Sequence, residues 1–137
     1  MTATIYLDSS AILKRPLPEA ESIAFVQAIE AALADDGTLV TSLLTRVEVG
    51  RSLRKRDVDV VGGIDVGLRE SLQSIAIAPI TEVIAELARS IEPPLLRSLD
   101  AIHLATAVAV GADEVWTYDS RFGDAAKTAG LTVRAPA

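Results

Sequence analysis

The sequence has 137 residues, enough for one domain with a sizeable hydrophobic core, and we predict a single domain over residues 1–137. The formal net charge of −6 excludes a passive, charge-driven nucleic-acid binder but not a nucleic-acid enzyme that uses bound metal. Without cysteine the chain has no disulfide, thiolate metal site or thiol nucleophile. No apolar run approaches the roughly 18 residues that span a bilayer, and no secretory signal is recognisable, so we expect no membrane association and a cytoplasmic location.

The residue pattern in the first half of the chain predicts strands that alternate with helices. The strand "TIYL" (residues 4–7) precedes a helix over 19–36, and a second strand over 38–42 precedes a helix over 43–56. Apolar spacing predicts the inward-facing side chains of the two helices, which are Ile23, Val26, Ile29, Ala32 and Leu33 in the first and Leu44, Val47 and Leu53 in the second.

The second half continues the same alternation. We predict helices over residues 57–73, 81–91, 98–111 and 120–130, and strands over 74–80, 114–119 and 132–135. Thr81 is a good cap for the second of these helices, and Pro93-Pro94 ends it. Strands that alternate with helices predict an α/β domain with a mainly parallel sheet and helices on both faces.

Four acidic residues lie at or near the carboxyl ends of predicted strands. Asp8 follows the first strand, Asp119 ends the strand at 114–119, Glu48 lies early in the helix after the second strand, and Asp100 lies in the first turn of the helix at 98–111. Ligands of open α/β sheets bind beyond the carboxyl ends of the strands, so we expect these acids to converge on one crevice.

Each acid also has a purely structural interpretation. Asp8 and Asp119 are suited to cap the helices that follow them, and Asp100 suits the positive end of its helix. Glu48 has a possible ion-pair partner in Arg51, three residues on. As a set the acids favour a site, because Glu48 and Asp100 stand in strongly apolar segments where an uncompensated charge is costly.

A cluster of carboxylates is what Mg²⁺ or Mn²⁺ prefers. Bound ions lower the pKa of a water and stabilise charge that builds on a phosphodiester. One carboxylate of such a cluster can also orient or deprotonate the water.

The segments "YLDSSA", "LLTRVEVGR", "LRSLDAIHLATAV" and "WTYDSRF" together resemble the PIN-domain nucleases, and most closely the VapC-type toxins of bacterial toxin–antitoxin pairs. The resemblance runs from residue 4 to about residue 133. It implies a PIN-like three-layer α/β/α sandwich with about five strands and a Mg²⁺- or Mn²⁺-dependent endoribonuclease. It also implies a homodimer and a small VapB-type antitoxin that blocks the site. Carried over, the acidic quartet is Asp8, Glu48, Asp100 and Asp119, with Asp8, Asp100 and Asp119 as metal ligands and Glu48 acting indirectly.

Further residues are candidates for supporting roles. Ser9 is placed to contact a metal-bound water, and Thr117 lies two residues before Asp119 on the same side of the strand. His103 shares a helix face with Asp100, where it is interpreted as a hydrogen-bonding residue behind the site or as a general acid. The cations after Glu48 are interpreted either as a solvated helix end or as contacts to an RNA backbone, and these are Arg51, Arg54, Lys55 and Arg56. Arg97 lies beside Asp100 and is interpreted as a partner of an acid or of an RNA phosphate.

Other functions fit the sequence less well. A haloacid-dehalogenase-type phosphatase wants a second acid two residues after the first, where this chain has Ser10. A receiver domain wants paired acids near the first strand and a lysine at a late strand end, and the sequence has neither. The remaining alternative is a catalytically silent module of the same fold that acts by binding protein or RNA.

Overall fold

The computed structural model describes residues 2–56 and 61–137. Within these ranges the strands are β1 (Thr4–Leu7), β2 (Thr38–Ser42), β3 (Ala76–Ala78), β4 (Glu114–Trp116) and β5 (Thr132–Arg134). The helices are α1 (Ser9–Ile12), α2 (Ser22–Ala34), α3 (Leu43–Lys55), α4 (Ile64–Ser71), α5 (Glu82–Ser90), α6 (Ser98–Ala109) and α7 (Ser120–Thr128). The predicted helix over 57–73 is thus observed as α4, and residues 57–60 lie outside the described ranges.

The strands form one sheet in the order β3-β2-β1-β4-β5, and every neighbouring pair is parallel. The chain winds from β1 outward to β3, then crosses to the other side of β1 to form β4 and β5. The direction of winding therefore reverses between β1 and β4, where open parallel sheets have their ligand crevice.

The two faces of the sheet carry separate hydrophobic cores. One core packs Ile5, Leu7 and Leu39 under side chains of α1 to α4, including Phe25 and Val49. The other packs Tyr6, Val40 and Val115 under α6 and α7. Because successive strand residues point to opposite faces, β1 supplies both cores. This confirms the predicted α/β/α sandwich with a parallel sheet of five strands.

Two predicted helix faces are partly wrong. On α2, Ile23 is 75% exposed, and Val26 and Leu33 are also exposed. The predicted Ile29 and Ala32 do pack against the core, and Phe25 and Ala28 complete the inward-facing line. These inward-facing residues also have helical spacing. Small alanine side chains beside Phe25 and Ile29 allow α2 to pack against the sheet.

On α3, Val47 is 55% exposed, whereas Thr45, Val49 and Leu53 are buried. The sequence interpretation gave the inward position to Val47 because it is apolar. The helix is turned so that Thr45 faces inward instead, where its hydroxyl lies 2.7 Å from that of Thr41.

Thr81 caps α5 as predicted, since its hydroxyl accepts a hydrogen bond from the Ile84 N–H. None of the helices in the described ranges has the length and apolar character needed to cross a membrane.

Candidate active site

Asp8 lies at the carboxyl end of β1 beside the point where the winding reverses, and it is only 5% exposed. Its Oδ1 accepts hydrogen bonds from the Ser10 hydroxyl (2.7 Å) and the Ala11 N–H (3.0 Å), and its Oδ2 accepts one from the Thr117 hydroxyl (2.6 Å). Burial raises the pKa of Asp8, although the hydrogen bonds from Thr117, Ser10 and Ala11 act in the opposite direction. Asp8 does cap α1, as one interpretation predicted, but a cap alone would not need this degree of burial.

Thr117 links the two strand-end aspartates. Its hydroxyl donates to Asp8 and accepts a hydrogen bond from the Asp119 N–H (3.0 Å). Asp119 in turn caps α7, because its Oδ1 accepts from the N–H groups of Arg121 and Phe122. The predicted position of Thr117 on the same side as Asp119 is therefore observed, and its direct partner is the carboxylate of Asp8.

Asp100 is half-buried in the first turn of α6. Burial is the main cause that raises the pKa of Asp100, and the negative charge of Asp119 raises it further, with a smaller contribution from Glu48. Asp119 and Glu48 are therefore each close enough to Asp100 to disfavour its negative charge. Arg97, directly before α6, lowers the pKa of Asp100 by its positive charge.

Glu48 reaches the crevice from α3, and its side chain is 25% exposed. Its Oε1 lies 2.5 Å from Nε2 of the buried His103, whose Nδ1 lies 2.6 Å from the Tyr6 hydroxyl. The partner of Glu48 is therefore His103 on the opposite helical layer rather than Arg51. His103 occupies the hydrogen-bonding position behind the crevice that the sequence suggested.

The cations predicted for RNA contact are all exposed. Arg51, Arg54, Lys55 and Arg56 follow Glu48 along the last two turns of α3, and Arg97 immediately precedes α6. Among the described residues, no lysine or arginine forms a salt bridge with any carboxylate of the quartet. Arg97 is therefore the arginine that acts on the quartet by its charge, through the pKa of Asp100 and without a salt bridge.

The donor set suits a hard divalent cation, although the ligands are not fully assembled. In residues 2–56 and 61–137, no three His, Asp or Glu side chains stand close enough together to form a ready-made metal group. Mg²⁺ keeps several waters and uses one or two carboxylates, so a buried Asp8 that Thr117 links to the exposed Asp119 fits it, with the half-buried Asp100 as a further oxygen donor.

Sequence reasoning missed two residues of this site. Ser10, rather than Ser9, donates to Asp8, and it also accepts the Tyr118 N–H (2.9 Å). Tyr6, whose pKa is raised well above its usual value by burial and next by Asp8, is the deepest polar residue of the group. Its position two residues before Asp8, on the same side of β1, was a usable signal.

These features define an α/β protein with an acidic crevice at the reversal point of a parallel sheet. The PIN domain family model matches residues 5–128, and the chain belongs to this family.

Known proteins resemble this chain over nearly its whole length. "Ribonuclease VapC46" of Mycobacterium tuberculosis is 40% identical over 136 residues, covering 98% of both chains. A solved toxin–antitoxin complex from Klebsiella pneumoniae contains a chain that is 25% identical, with a TM-score of 0.67 and coverage of 97% of this chain and 98% of that one. VapBC2 from Rickettsia felis, solved with a promoter DNA fragment, gives a TM-score of 0.76 at 14% identity. The match covers 98% of this chain and 99% of that one. At this level of identity the likeness shows the fold alone.

Proposed function

We propose that this protein is a metal-dependent endoribonuclease that serves as the toxin of a VapBC-type toxin–antitoxin pair. The observation that carries the proposal is the 40% identity, over 98% of both chains, to a protein named as a ribonuclease. The arrangement of four carboxylates around one crevice supports the same chemistry. In this proposal residues 1–137 act as one catalytic domain, and its RNA substrate places it in the cytoplasm.

Asp8, Asp100 and Asp119 are the residues that would hold Mg²⁺ or Mn²⁺. Asp8 is fixed by three hydrogen bonds and so has one preset orientation. When bound, the metal would lower the pKa of a water and stabilise negative charge on the phosphodiester. Because the buried Asp8 has its pKa raised, a cation at this position also offsets an unfavourable carboxylate.

Glu48 is the residue we assign to the attacking water. Its Oε1 is engaged by His103, so Oε2 is the oxygen available to accept the proton of that water. The product is an RNA chain cut at one phosphodiester, with no covalent attachment to the protein.

Exposed cations on either side of the crevice are proposed to hold the RNA backbone. Arg51 lies one helical turn beyond Glu48 on α3, and Arg97 lies three residues before Asp100. Their guanidinium groups suit bidentate contacts to phosphates that flank the scissile bond.

We assign the protein two protein partners, a VapB-type antitoxin and a second copy of this chain. The Klebsiella pneumoniae relative, solved as a toxin–antitoxin complex, supports the first. Exposed apolar side chains on α3 and α5, such as Val47, Val83 and Leu87, support the second. Light scattering on the purified chain, alone and mixed with a candidate antitoxin, measures both assemblies.

RNA cleavage by the purified protein tests the proposal. We expect cleavage of RNA with Mg²⁺ or Mn²⁺ and none with a chelator. Asp8→Asn and Asp100→Asn are each expected to lower the cleavage rate by at least about 100-fold, because each removes a metal ligand.

Asp35→Asn is the matched control, since Asp35 is an exposed aspartate at the end of α2, near the amino end of β2. This variant should cleave like the parent. If Asp8→Asn and Asp100→Asn also cleave like the parent, the site assignment is wrong. If the parent cleaves no structured or single-stranded RNA, a silent binding module replaces the proposed enzyme.

A further inference from the structure

A buried chain of hydrogen bonds crosses the open end of the sandwich from β1 to α3. It starts at the Tyr6 hydroxyl, passes through the imidazole of His103 on α6 and ends at Oε1 of Glu48. Tyr6 and His103 are buried, whereas the Glu48 side chain reaches the crevice. These hydrogen bonds therefore connect the interior beneath one helical layer to a carboxylate on a helix of the opposite layer.

The chemistry of the three groups fixes the direction of the hydrogen bonds. A phenol carries its proton at neutral pH and can donate it to an imidazole nitrogen. A carboxylate has no proton to donate and only accepts. With a neutral imidazole, the arrangement that satisfies all three groups has Tyr6 donating to Nδ1 and a proton on Nε2 of His103 that is donated to Glu48.

Packing holds the imidazole in this orientation. The ring of Tyr6 meets that of His103 edge to face at 5.9 Å, and the ring of Phe122 meets it from another side at 6.0 Å. A ring held by two aromatic neighbours and by hydrogen bonds at both nitrogens has little freedom to turn. Its Nε2–H is therefore a fixed donor at the edge of the crevice.

We propose that Tyr6 and His103 are positioning residues that set the orientation of Glu48. Neither needs to touch RNA or metal, because both act through the single contact to Oε1. Fixing one carboxylate oxygen leaves the other in a defined place, which is what a proton acceptor needs. The part of this inference that concerns catalysis rests on the proposed ribonuclease function.

The hydrogen-bond directions can be measured without any activity, because His103 is the only histidine of the chain. Nitrogen-15 NMR of the labelled protein reports which imidazole nitrogen carries the proton. We expect the neutral form with the proton on Nε2, and we expect Tyr6→Phe to mix this form with the alternative one. A proton found on Nδ1 alone in the parent would overturn the proposal.

Two substitutions of His103 separate its contacts. The amide nitrogen of glutamine stands where Nε2 stands in histidine, so His103→Gln keeps a donor for Glu48. The shorter asparagine reaches only the position of Nδ1, so His103→Asn keeps the hydrogen bond to Tyr6 and removes the one to Glu48. We expect His103→Asn to lower kcat about 10- to 100-fold with KM little changed, and His103→Gln to restore most of that activity.

A double-mutant cycle with Glu48→Gln tests whether His103 acts through Glu48. In the Glu48→Gln background His103→Asn should cost little further activity, because the group that it positions is already gone. An equal loss in both backgrounds, or equal activity of His103→Asn and His103→Gln, would contradict the proposal. Urea denaturation tests whether each variant folds. If His103→Asn does not fold, Tyr6→Phe tests the positioning role in its place. We expect Tyr6→Phe to lower kcat about 10-fold, and an unchanged kcat would contradict the proposal.

The two proposals fail in distinguishable ways. A parent protein that cleaves no RNA defeats the proposed function, and the NMR measurement then decides the hydrogen-bond chain alone. A parent that cleaves RNA but holds its proton on Nδ1 keeps its function and defeats the positioning role.

Discussion

At the scale of single residues, Asp8 shows the clearest conflict, which is between the burial of its side chain and its negative charge. Its carboxylate is buried, which disfavours the charge, and three hydrogen bonds only partly compensate, so its pKa stays above the usual value of 3.8. In the folded protein Asp8 therefore binds its proton more tightly than in the unfolded chain. Stability contributed by this group falls as pH rises from 3.8 through the raised pKa, and the penalty is complete once the pH lies above that raised pKa.

Asp8→Asn should therefore stabilise the metal-free protein while it removes activity. The amide is neutral and can still accept the Ala11 N–H, so we expect the free energy of unfolding at pH 7 to rise, because the variant buries no charge at this position. Urea denaturation in the presence of a chelator measures this change. The advantage over the parent should shrink as pH falls toward 3.8, because Asp8 then becomes neutral by itself.

Asp119→Asn is the matched comparison, because Asp119 is also a helix cap but is exposed. Asparagine caps about as well as aspartate, so its free energy of unfolding should match that of the parent. An Asp8→Asn variant less stable than the parent at pH 7 would show that the hydrogen bonds to the carboxylate outweigh its burial.

At the scale of elements, alternation along the sequence was sufficient to predict the strands and most helices. β1, β2, β4 and β5 were predicted to within two residues at each end except where β4 ends, at Trp116 rather than Asp119. β3 is shorter than predicted because only Ala76–Ala78 pair with β2. Helix faces were harder, since α2 has apolar residues nearly all round and spacing alone does not say which side meets the sheet.

A pair of isoleucines on α2 tests the observed face. Ile29 is buried and Ile23 is exposed, although both were predicted to face inward. Ile29→Ala should lower the free energy of unfolding by about 2–5 kcal/mol, whereas Ile23→Ala should change it by less than about 0.5 kcal/mol. Chemical denaturation of both variants gives the comparison directly, and equal losses would mean that α2 is rotated relative to the structure.

The sequence predicts the region of the site because the ends of the strands and the starts of the helices fix where the acidic residues lie relative to the sheet. Asp8, Asp100 and Asp119 could be placed at one edge because parallel strands end together. Hydrogen bonds between distant residues, such as Glu48 with His103, could not be deduced, because they depend on how α3 and α6 are turned about their axes. The choice of Ser10 over Ser9 as partner of Asp8 depends in the same way on the start of α1.

At the scale of the whole molecule, an acidic protein is proposed to bind RNA, which is also negatively charged, so the local distribution of charge matters. The formal net charge is −6, and four acids concentrate negative charge in the crevice. The exposed cations near the end of α3 give RNA a local positive surface beside that crevice. In the proposed function, RNA binding would therefore depend on a small number of arginine and lysine contacts rather than on the overall field.

Replacing Arg51 and Arg54 together with glutamine should weaken RNA binding and leave the chemistry unchanged. We expect KM to rise with kcat unaltered, and the slope of log affinity against log salt to decrease by roughly 0.7 for each phosphate that the variant no longer neutralises. The measurement is a salt titration of RNA binding, with kinetics at saturating RNA.

A control with the same change of net charge uses Arg69 and Arg89, which are exposed on α4 and α5. Their replacement by glutamine should leave the salt slope unchanged, and removal of the exposed Arg89–Glu86 pair should cost little stability. Equal effects of the two double variants would mean that net charge, and not the end of α3, governs binding.

The hydrogen bond from Thr117 to Asp8 spans 109 residues of chain, and this distance sets when the site can first exist. A ribosome makes β1 early, but the hydroxyl that secures its aspartate, together with Asp100 and Asp119, emerges only in the last third of the chain. Contacts across so long a loop form late because closing the loop costs entropy. An unfinished chain therefore carries the first acid of the crevice without the crevice, and the site can assemble only after Thr117 and Asp119 have been synthesised.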